Sequence, residues 1–238
     1  MTIPHTIIKF VTAVAISISL CPAAERDGSA HSERTLELHK MSPEEFGKIE
    51  KFKTPIDFEN IDIALLDAAV FHETNRHRVE NDLSRLDFEP ALREAAAVQV
   101  RGMIRMQAIG HTHPDADKRT LGDRFELLGI ETDLLAENVA MVFGIRYKSG
   151  TNVYKRRKAG QMVFSEQPDG TPILPHTYAS FSEHLLAEWM ASPGHRRNIL
   201  TKDLKTLGVS SLHDRSALGM DAFYSAQAFA GNVTVRQE

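Results

Sequence analysis

Three short segments of the chain carry side chains that bind protons or metal ions. They are 110–117 (GHTHPDAD), 136–140 (AENVA) and 192–200 (SPGHRRNIL). Neutral imidazoles and a carboxylate can hold a zinc ion with water in the open position, or can form a metal-free network in which the carboxylate orients a histidine. Each segment also has a structural interpretation, because a histidine after a helix interacts with its carbonyls and a glutamate can begin a helix. The residue types alone leave open whether the three segments meet.

Two other patterns resemble metal motifs but fail on spacing. His72 and His77 flank a glutamate in HETNRH, yet they stand one position too far apart to share one helix face as in a zinc protease. The DADKR segment at 115–119 lacks the glycine and the closing glutamate of a calcium loop. We therefore exclude both motifs.

Helices and strands must position the three segments. Apolar residues recur at helical spacing over 89–108 and 178–191. Residues 61–80, with apolar residues among mixed charges, are expected to form another helix, and a shorter one is expected over 120–128. From Thr206 onward the chain is rich in β-forming and small residues, which predicts strands. Helices first and strands later favour an α+β fold in which helices pack on an antiparallel sheet.

The first 24 residues are typical of a secretory signal peptide. Lys9 precedes a short uncharged apolar run and then small residues, and the run is shorter than the roughly 20 residues that span a bilayer. We expect export to the periplasm or the extracellular space, with no stable transmembrane anchor after cleavage. A retained anchor helix and a lipoprotein acylated on Cys21 are the alternatives. Because Cys21 is the only cysteine, the exported chain would have no disulfide and no cysteine nucleophile.

Composition argues against a nucleic-acid partner and suggests one folded domain. The formal net charge is −4 and becomes −5 when Lys9 is removed with the signal peptide. Residues 25–60 are charged and lack a clear hydrophobic period, so we expect a polar leader or linker there, with a short helix near 42–52. The folded domain is expected over 61–238.

A long connection over 146–176 stands out within that domain. It holds three glycines and three prolines, and connections of this length are functional or mobile. Its basic cluster KRRK at 155–158 is either a solvated surface or a contact for an anionic partner such as a polyanionic glycan or lipid headgroups.

The order of these pieces resembles the CAP superfamily of cysteine-rich secretory, antigen 5 and pathogenesis-related 1 proteins, and in particular its cysteine-free bacterial SCP-like branch. The resemblance covers residues 66–231. It implies an α–β–α sandwich with a central antiparallel sheet and helices on both sides. The matching pieces, in order, are the helices ending in HTHPD, then DRFELLGI, AENVA, the tryptophan helix ending in SPGHRRNIL, LGV and YSAQAFAG.

The resemblance also implies a cleft that holds two histidines and one or two glutamates and can bind zinc or another divalent cation. His111 matches the first histidine, and Glu137 matches the glutamate of the family's Glu-Asn pair. Tyr224 stands where the classical second histidine would be, so His195 takes that role. We expect Pro193–Gly194 to end the preceding helix and turn the chain so that His195 projects into the cleft.

The second family glutamate has no direct counterpart here. Its position holds Ser192, which leaves the role to Glu188 or Glu183 on the same helix. Two arginines after His195 add to the cost of binding a further cation. We therefore expect metal binding to be weak or absent.

The leading functional hypothesis is a secreted or periplasmic binding module without enzymatic activity. Its partner would be a lipid, a cell-envelope component or a protein, and the resemblance implies sterol or fatty-acid binding in some members. The alternative is a metal-dependent hydrolase of peptides or cell-wall material, which a second carboxylate placed as general base would favour. A third hypothesis is an interaction protein with a vestigial cleft, since a fold does not fix a function.

Overall fold

The computed structural model describes residues 6–8, 28–148, 150–158, 161–215 and 219–236. Of the expected signal peptide, only Thr6–Ile8 lies within these residues, as a short strand that pairs with Val153–Lys158. Cys21 lies outside them.

The helices and strands of the described residues follow in chain order. The helices are α1 (Gly28–Lys40), α2 (Pro43–Gly47), α3 (Ile63–Glu80), α4 (Pro90–Met106), α5 (Leu121–Leu127), α6 (Tyr178–Ala191) and α7 (Pro193–Ile199), with short 3₁₀ helices at Glu50–Lys53 and Ala116–Lys118. The strands are β1 (Thr6–Ile8), β2 (Asp87–Phe88), β3 (Ile130–Thr132), β4 (Leu135–Phe143), β5 (Val153–Lys158), β6 (Gln161–Ser165), β7 (Thr206–Asp214), β8 (Ala222–Ala230) and β9 (Val233–Val235).

The central sheet has the strand order β2-β7-β8-β4. Strand β8 pairs antiparallel with both β4 and β7, whereas the two-residue β2 pairs with β7 in parallel. The sheet is therefore mixed at one edge and not wholly antiparallel as expected. The remaining strands form two small sheets, β1-β5-β6 and β3-β9.

Alternate residues of β8 face opposite helical layers, which confirms the predicted α–β–α sandwich. Phe223 and Phe229 join a cluster formed with α3 and α6, and Tyr224 joins a second cluster formed with α4 and α5. The α4 backbone comes very close to the sheet, because a Cβ added at Gly208 would lie 2.0 Å from the backbone nitrogen of Arg93. Glycine is the residue that fits such a close backbone approach.

The predicted helices are confirmed as α3, α4, α5 and α6. Helix α4 begins at Pro90, where the Glu89 side chain accepts a hydrogen bond of 3.1 Å from the backbone nitrogen of Ala91. It ends at Met106 because Gln107 takes a left-handed conformation with φ of 50°. The loop that follows carries the GHTHPD segment.

Much of the polar leader expected over 25–60 is packed on the domain. Leu38, Phe46 and Ile56 are buried and belong to the same cluster as α3 and α6. The short helix expected near 42–52 is present as α2, which starts with a capping box between Ser42 and Glu45. These apolar residues are so widely spaced among charges that they give no helical period, so the sequence predicted a linker where the structure has docked helices.

The connection over 146–176 is more ordered than a long loop. Strands β5 and β6 form an antiparallel pair, and Val153 and Phe164 are buried against Met220 and Ala222. The basic KRRK cluster forms most of β5.

Candidate functional site

His111 and Glu137 meet at the edge of the sheet. The imidazole Nδ1 of His111 lies 2.8 Å from the Glu137 carboxylate Oε1. His111 sits in the loop after α4, and its side chain is 58% exposed, whereas the side chain of Glu137 is only 5% exposed. Glu137 lies in β4 opposite Ala228 of β8, a residue of the cluster on the α4 side. The pairing that the family resemblance implied is therefore present.

Arg124 of α5 completes this group, which we call the Glu137 cluster (His111, Arg124 and Glu137). Its guanidinium Nη2 donates to the other carboxylate oxygen, Oε2 of Glu137, and its Nη1 donates to the Lys118 carbonyl at 3.1 Å. The Arg124 side chain is fully buried. A buried charge is costly unless it is paired, so the two opposite charges hold each other in the interior.

His195 approaches the Glu137 cluster from α7. The expected chain turn is wrong in detail, because Pro193 does not simply end α6 but takes the first position of a new helix, α7. Ser192 caps α6 at its C-terminus and α7 at its N-terminus. His195 is half-buried. Burial, and next the charge of His111, lower the pKa of His195 below the usual histidine value.

Asparagines tie α7 to β4 behind the histidines. Asn198 Nδ2 donates to the Glu137 backbone carbonyl at 3.0 Å and to Asn138 Oδ1 at 2.8 Å. Asn138 Nδ2 donates to the His195 carbonyl at 3.2 Å and to Gln227 Oε1 at 3.0 Å. These bonds fix the position of α7, and with it of His195, relative to Glu137.

The electrostatics of the two cleft histidines differ. The hydrogen bond to Glu137, opposed by burial and assisted by the carboxylate charge, raises the pKa of His111 above the usual histidine value. The pKa of His195 is lowered. His111 therefore gains a proton first as the pH falls, and His195 remains neutral longer.

Glu188, Glu183 and Tyr224 are placed elsewhere. Glu188 and Glu183 are exposed on α6, and the charge of Glu188 acts on Tyr147. Tyr224 is 3% exposed and lies opposite Met141 in the α4-side cluster. Among the contacts of the described residues, none joins these three side chains to His111, Glu137 or His195.

The residues present do not fit the zinc site that the family resemblance implies. Both carboxylate oxygens of Glu137 already accept hydrogen bonds, one from His111 and one from the guanidinium of Arg124. A metal at this carboxylate would have to displace a permanent cation. In the described part of the chain, no group of three or more histidine, cysteine, aspartate or glutamate side chains is arranged to hold a metal.

Arg124 and Asn198 are the site residues that sequence reasoning missed. Arg124 lies in DRFELLGI between Leu121 and Phe125, both of which are buried. The sequence signal for Arg124 was its position next to the buried aromatic residue Phe125 on a short helix. Asn198 lies in SPGHRRNIL, where the histidine and the two arginines suggest charge interactions and nothing local indicates amide hydrogen bonds.

A cavity of about 440 Å³ opens beside His111. It combines apolar side chains at the end of α4 with a cation from the loop that follows. Met106 and Ile109 are exposed apolar residues in its wall, at 38% and 48% exposure. The lining residues are Met106, Ile109, Gly110, His111, Thr112, His113, Pro114 and Arg119.

Comparison with known proteins gives a family and several distant structures. A family model, CAP, described as the cysteine-rich secretory protein family, matches residues 71–229. An extracellular protein containing an SCP domain from Bacillus anthracis strain Ames is 19% identical with a TM-score of 0.47, over 81% of this chain and 44% of that chain. An outer surface protein from Borrelia burgdorferi is 14% identical with a TM-score of 0.46, over 72% of this chain and 96% of that chain.

A cysteine-rich secretory protein from Staphylococcus aureus subsp. aureus Mu50 is 13% identical with a TM-score of 0.45, over 72% of this chain and 40% of that chain. This chain thus spans less than half of the Bacillus and Staphylococcus proteins. No curated protein matches the chain.

Proposed function

The chain belongs to the cysteine-rich secretory protein family, and from that premise we propose that it is exported and acts as a binding module without enzymatic activity. Its ligand combines an apolar segment with an acidic group, as a fatty acid or an anionic lipid of the cell envelope does. The site is the cavity beside His111. A protein partner that presents such a group would bind by the same chemistry.

One observation carries this proposal: exposed apolar side chains and cationic groups line the same cavity. Met106 and Ile109 offer apolar surface, and removing such surface from water stabilises a complex by about 25 cal/mol per Å². Arg119 lies in the same wall, and the pKa of His111 is raised by its bond to Glu137. An anionic headgroup is therefore favoured over a neutral one.

The Glu137 cluster disfavours the alternative, a hydrolase. The hydrolase would use a second carboxylate as general base, within reach of the proton that it removes. The position of that second glutamate holds Ser192, and the Glu137 carboxylate is bonded to His111 and ion-paired with the buried Arg124. The carboxylate pair of that mechanism is therefore incomplete at its expected positions.

The first residues support export. Lys9, the short apolar run and the small residues before Glu25 follow the pattern of a secretory signal peptide. Among the described residues, no helix is both long and apolar enough to cross a bilayer.

The proposal is tested with dodecanoate and 1-dodecanol, which share an alkyl chain and differ in the acidic group. We expect the chain from residue 25 onward to bind dodecanoate by calorimetry, and dodecanol at least about tenfold more weakly, a difference of about 1.4 kcal/mol. Ile109→Asp should abolish binding because it places a carboxylate in the apolar wall.

Leu127→Asp is the matched control, since Leu127 is 52% exposed on α5 and does not line the cavity. It should bind like the unmodified protein. Equal binding of the acid and the alcohol, no binding of either, or equal loss in both variants would overturn the proposal. Cleavage of peptides or cell-wall fragments that depends on Glu137 would establish the hydrolase instead.

A further inference from the structure

Strand β5 lies at the outer side of the β5–β6 hairpin, and a short extended segment pairs with that side. The segment is β1, Thr6–Ile8, which runs antiparallel to residues 153–155. Thr6 lies opposite Lys155, and Ile8 lies opposite Val153. The outer side of β5 therefore accepts an extended strand through the main-chain hydrogen bonds of an antiparallel ladder.

The other side of the hairpin is closed. The chain that leaves β6 folds back along that strand, where Pro172 forms an antiparallel bridge with Ser165. The backbone nitrogen of Ile173 also donates to the Phe164 carbonyl at 2.7 Å. A further strand can therefore join this sheet only along Val153–Lys158, and we call the outer side of these residues the β5 edge.

The β5 edge belongs to an anchored hairpin. Val153 and Phe164 are 1% and 8% exposed and share a buried cluster with Ala222 of β8. The Arg156 guanidinium pairs with the Asp169 carboxylate at 3.5 Å, which ties β5 to the chain that returns from β6. Because the strand is held in place before a partner arrives, binding costs less conformational entropy than it would for a free loop.

Two cations of the β5 edge are available to a partner. Side chains alternate between the two faces of a strand, so Lys155 and Arg157 lie on one face and Arg156 lies on the other. Arg156 is already paired. The side chains of Lys155 and Arg157 have no ion pair or hydrogen bond among the described residues, and Arg157 is exposed.

These charges disfavour a second copy of this chain as the partner. Two β5 strands paired antiparallel would bring the KRRK segments of both copies together, and like charges directly opposite each other are destabilising. Charged side chains on edge strands commonly prevent such self-pairing. The same cations favour a strand with carboxylates at alternate positions, because opposite charges across a ladder stabilise the pair.

We propose that the β5 edge binds an extended acidic segment of a partner protein, which joins the sheet as an antiparallel strand. In the register of β1, acidic residues of the partner lie opposite Arg157 and Lys155, and an apolar residue lies opposite Val153, as Ile8 does. The proposal rests on the export proposed above, since loss of the signal peptide removes β1 and opens the β5 edge. The cavity beside His111 is separate, because no residue of β5 lines it.

The test uses a capped, fluorescein-labelled peptide with the pattern Glu-Val-Glu-Val-Val, titrated with the chain from residue 25 onward. The three buried clusters lie within residues 38–230, so this chain keeps its core. We expect saturable binding by fluorescence anisotropy, and weaker binding to the full chain, in which β1 competes for the same edge. Peptide binding should also slow amide hydrogen exchange in β5.

Backbone methylation separates strand pairing from charge attraction. In an added strand, alternate backbone N–H groups point to β5 and the others point away from it. Two peptides methylated at complementary alternate nitrogens carry the same charges, yet only one of them should lose binding. Because these peptides need no protein variant, they keep the test valid if a variant fails to fold.

Charge reversal tests the two cations. Lys155→Glu/Arg157→Glu should weaken binding of the acidic peptide by about tenfold or more, since two attractions become repulsions. A peptide with lysines in place of the glutamates should bind this variant and not the unmodified chain. Lys202→Glu/Lys205→Glu is the matched control, because both lysines are exposed between α7 and β7 and the net charge changes equally. It should bind the acidic peptide like the unmodified chain.

Three results would each overturn the proposal: no saturable binding, equal binding of the two methylated peptides, or the same loss in both double variants. Dodecanoate is titrated into the same chain in parallel. Failure of dodecanoate alone to bind would overturn the ligand proposed for the cavity beside His111 and would leave the β5 edge supported by the peptide results.

Discussion

The Glu137 cluster and the two histidines at the start of α6, His176 and His184 (the histidine pair), use titratable side chains in different ways. In the Glu137 cluster, both carboxylate oxygens have partners and both terminal nitrogens of the Arg124 guanidinium donate, while among the described residues Nε of Arg124 is left without a partner. In the histidine pair, the buried Nε2 of each ring has no partner among the described residues. The comparison teaches that histidines and a glutamate in a cleft do not by themselves make a metal site. The partners already present decide which atoms are available to a ligand.

Removing Arg124 should lower the free energy of unfolding the most, because it takes the cation away from a buried carboxylate. Arg124→Met leaves the Glu137 carboxylate buried without its cation, and we expect unfolding to become easier by about 3–5 kcal/mol. Urea denaturation measures this. Arg101→Met is the control, since Arg101 pairs with Glu94 on the surface and both side chains are about half exposed, and such pairs contribute about 0.2–1 kcal/mol.

Adding Glu137→Gln to Arg124→Met sharpens that experiment. The double variant removes the unpaired charge, so it should recover part of the lost stability. A loss below about 1 kcal/mol in Arg124→Met would mean that the pair is solvated, contrary to its burial.

Replacing the His184 ring of the histidine pair by a phenyl ring should change the free energy of unfolding less than the loss of Arg124 does. His184→Phe removes an unpartnered buried nitrogen, so the free energy of unfolding should change by no more than about 1 kcal/mol in either direction when it is measured by urea denaturation. A large destabilisation would show that His184 Nε2 has a partner in solution.

The smallest expected effect is on the pKa values of the two cleft histidines. Because its pKa is raised in the folded chain, His111 contributes stability at pH values below the unfolded histidine pKa, and this contribution is lost as the pH rises through the folded pKa. NMR titration of the imidazoles should place His111 above, and His195 below, the usual value of about 6.5. Glu137→Gln should lower the pKa of His111; an unchanged value would remove Glu137 as the cause.

The sequence predicted most of the elements that surround the cleft. Helices α4 and α6 have apolar residues at helical spacing, α3 is rich in apolar residues among charges, and the β-rich tail became β7, β8 and β9. The parallel pairing of β2 was missed because a two-residue strand has no pattern to detect. The leader was taken for a linker because Leu38, Phe46 and Ile56 are buried at spacings that fit neither a helix nor a strand.

The sites were predicted less completely than the fold. The contact between His111 and Glu137 was predicted from the family resemblance. The resemblance assigns both residues to one cleft, although their segments are far apart in the sequence. The role of Arg124 depends on burial, which α5 is too short to reveal by its period. His176 and His184 were missed because their proximity arises from the return of the 146–176 connection onto α6, a tertiary contact without a local pattern.

Gly208 has a consequence for how substitutions act on the cleft. It sits in β7 with the α4 backbone so close that a methyl group has no room, so even alanine would push the helix away from the sheet. Helix α4 ends just before the loop that carries His111. A change at Gly208 would therefore shift the cleft without altering any of its side chains, and a survey of tolerated substitutions should find this position as restricted as the cleft residues themselves.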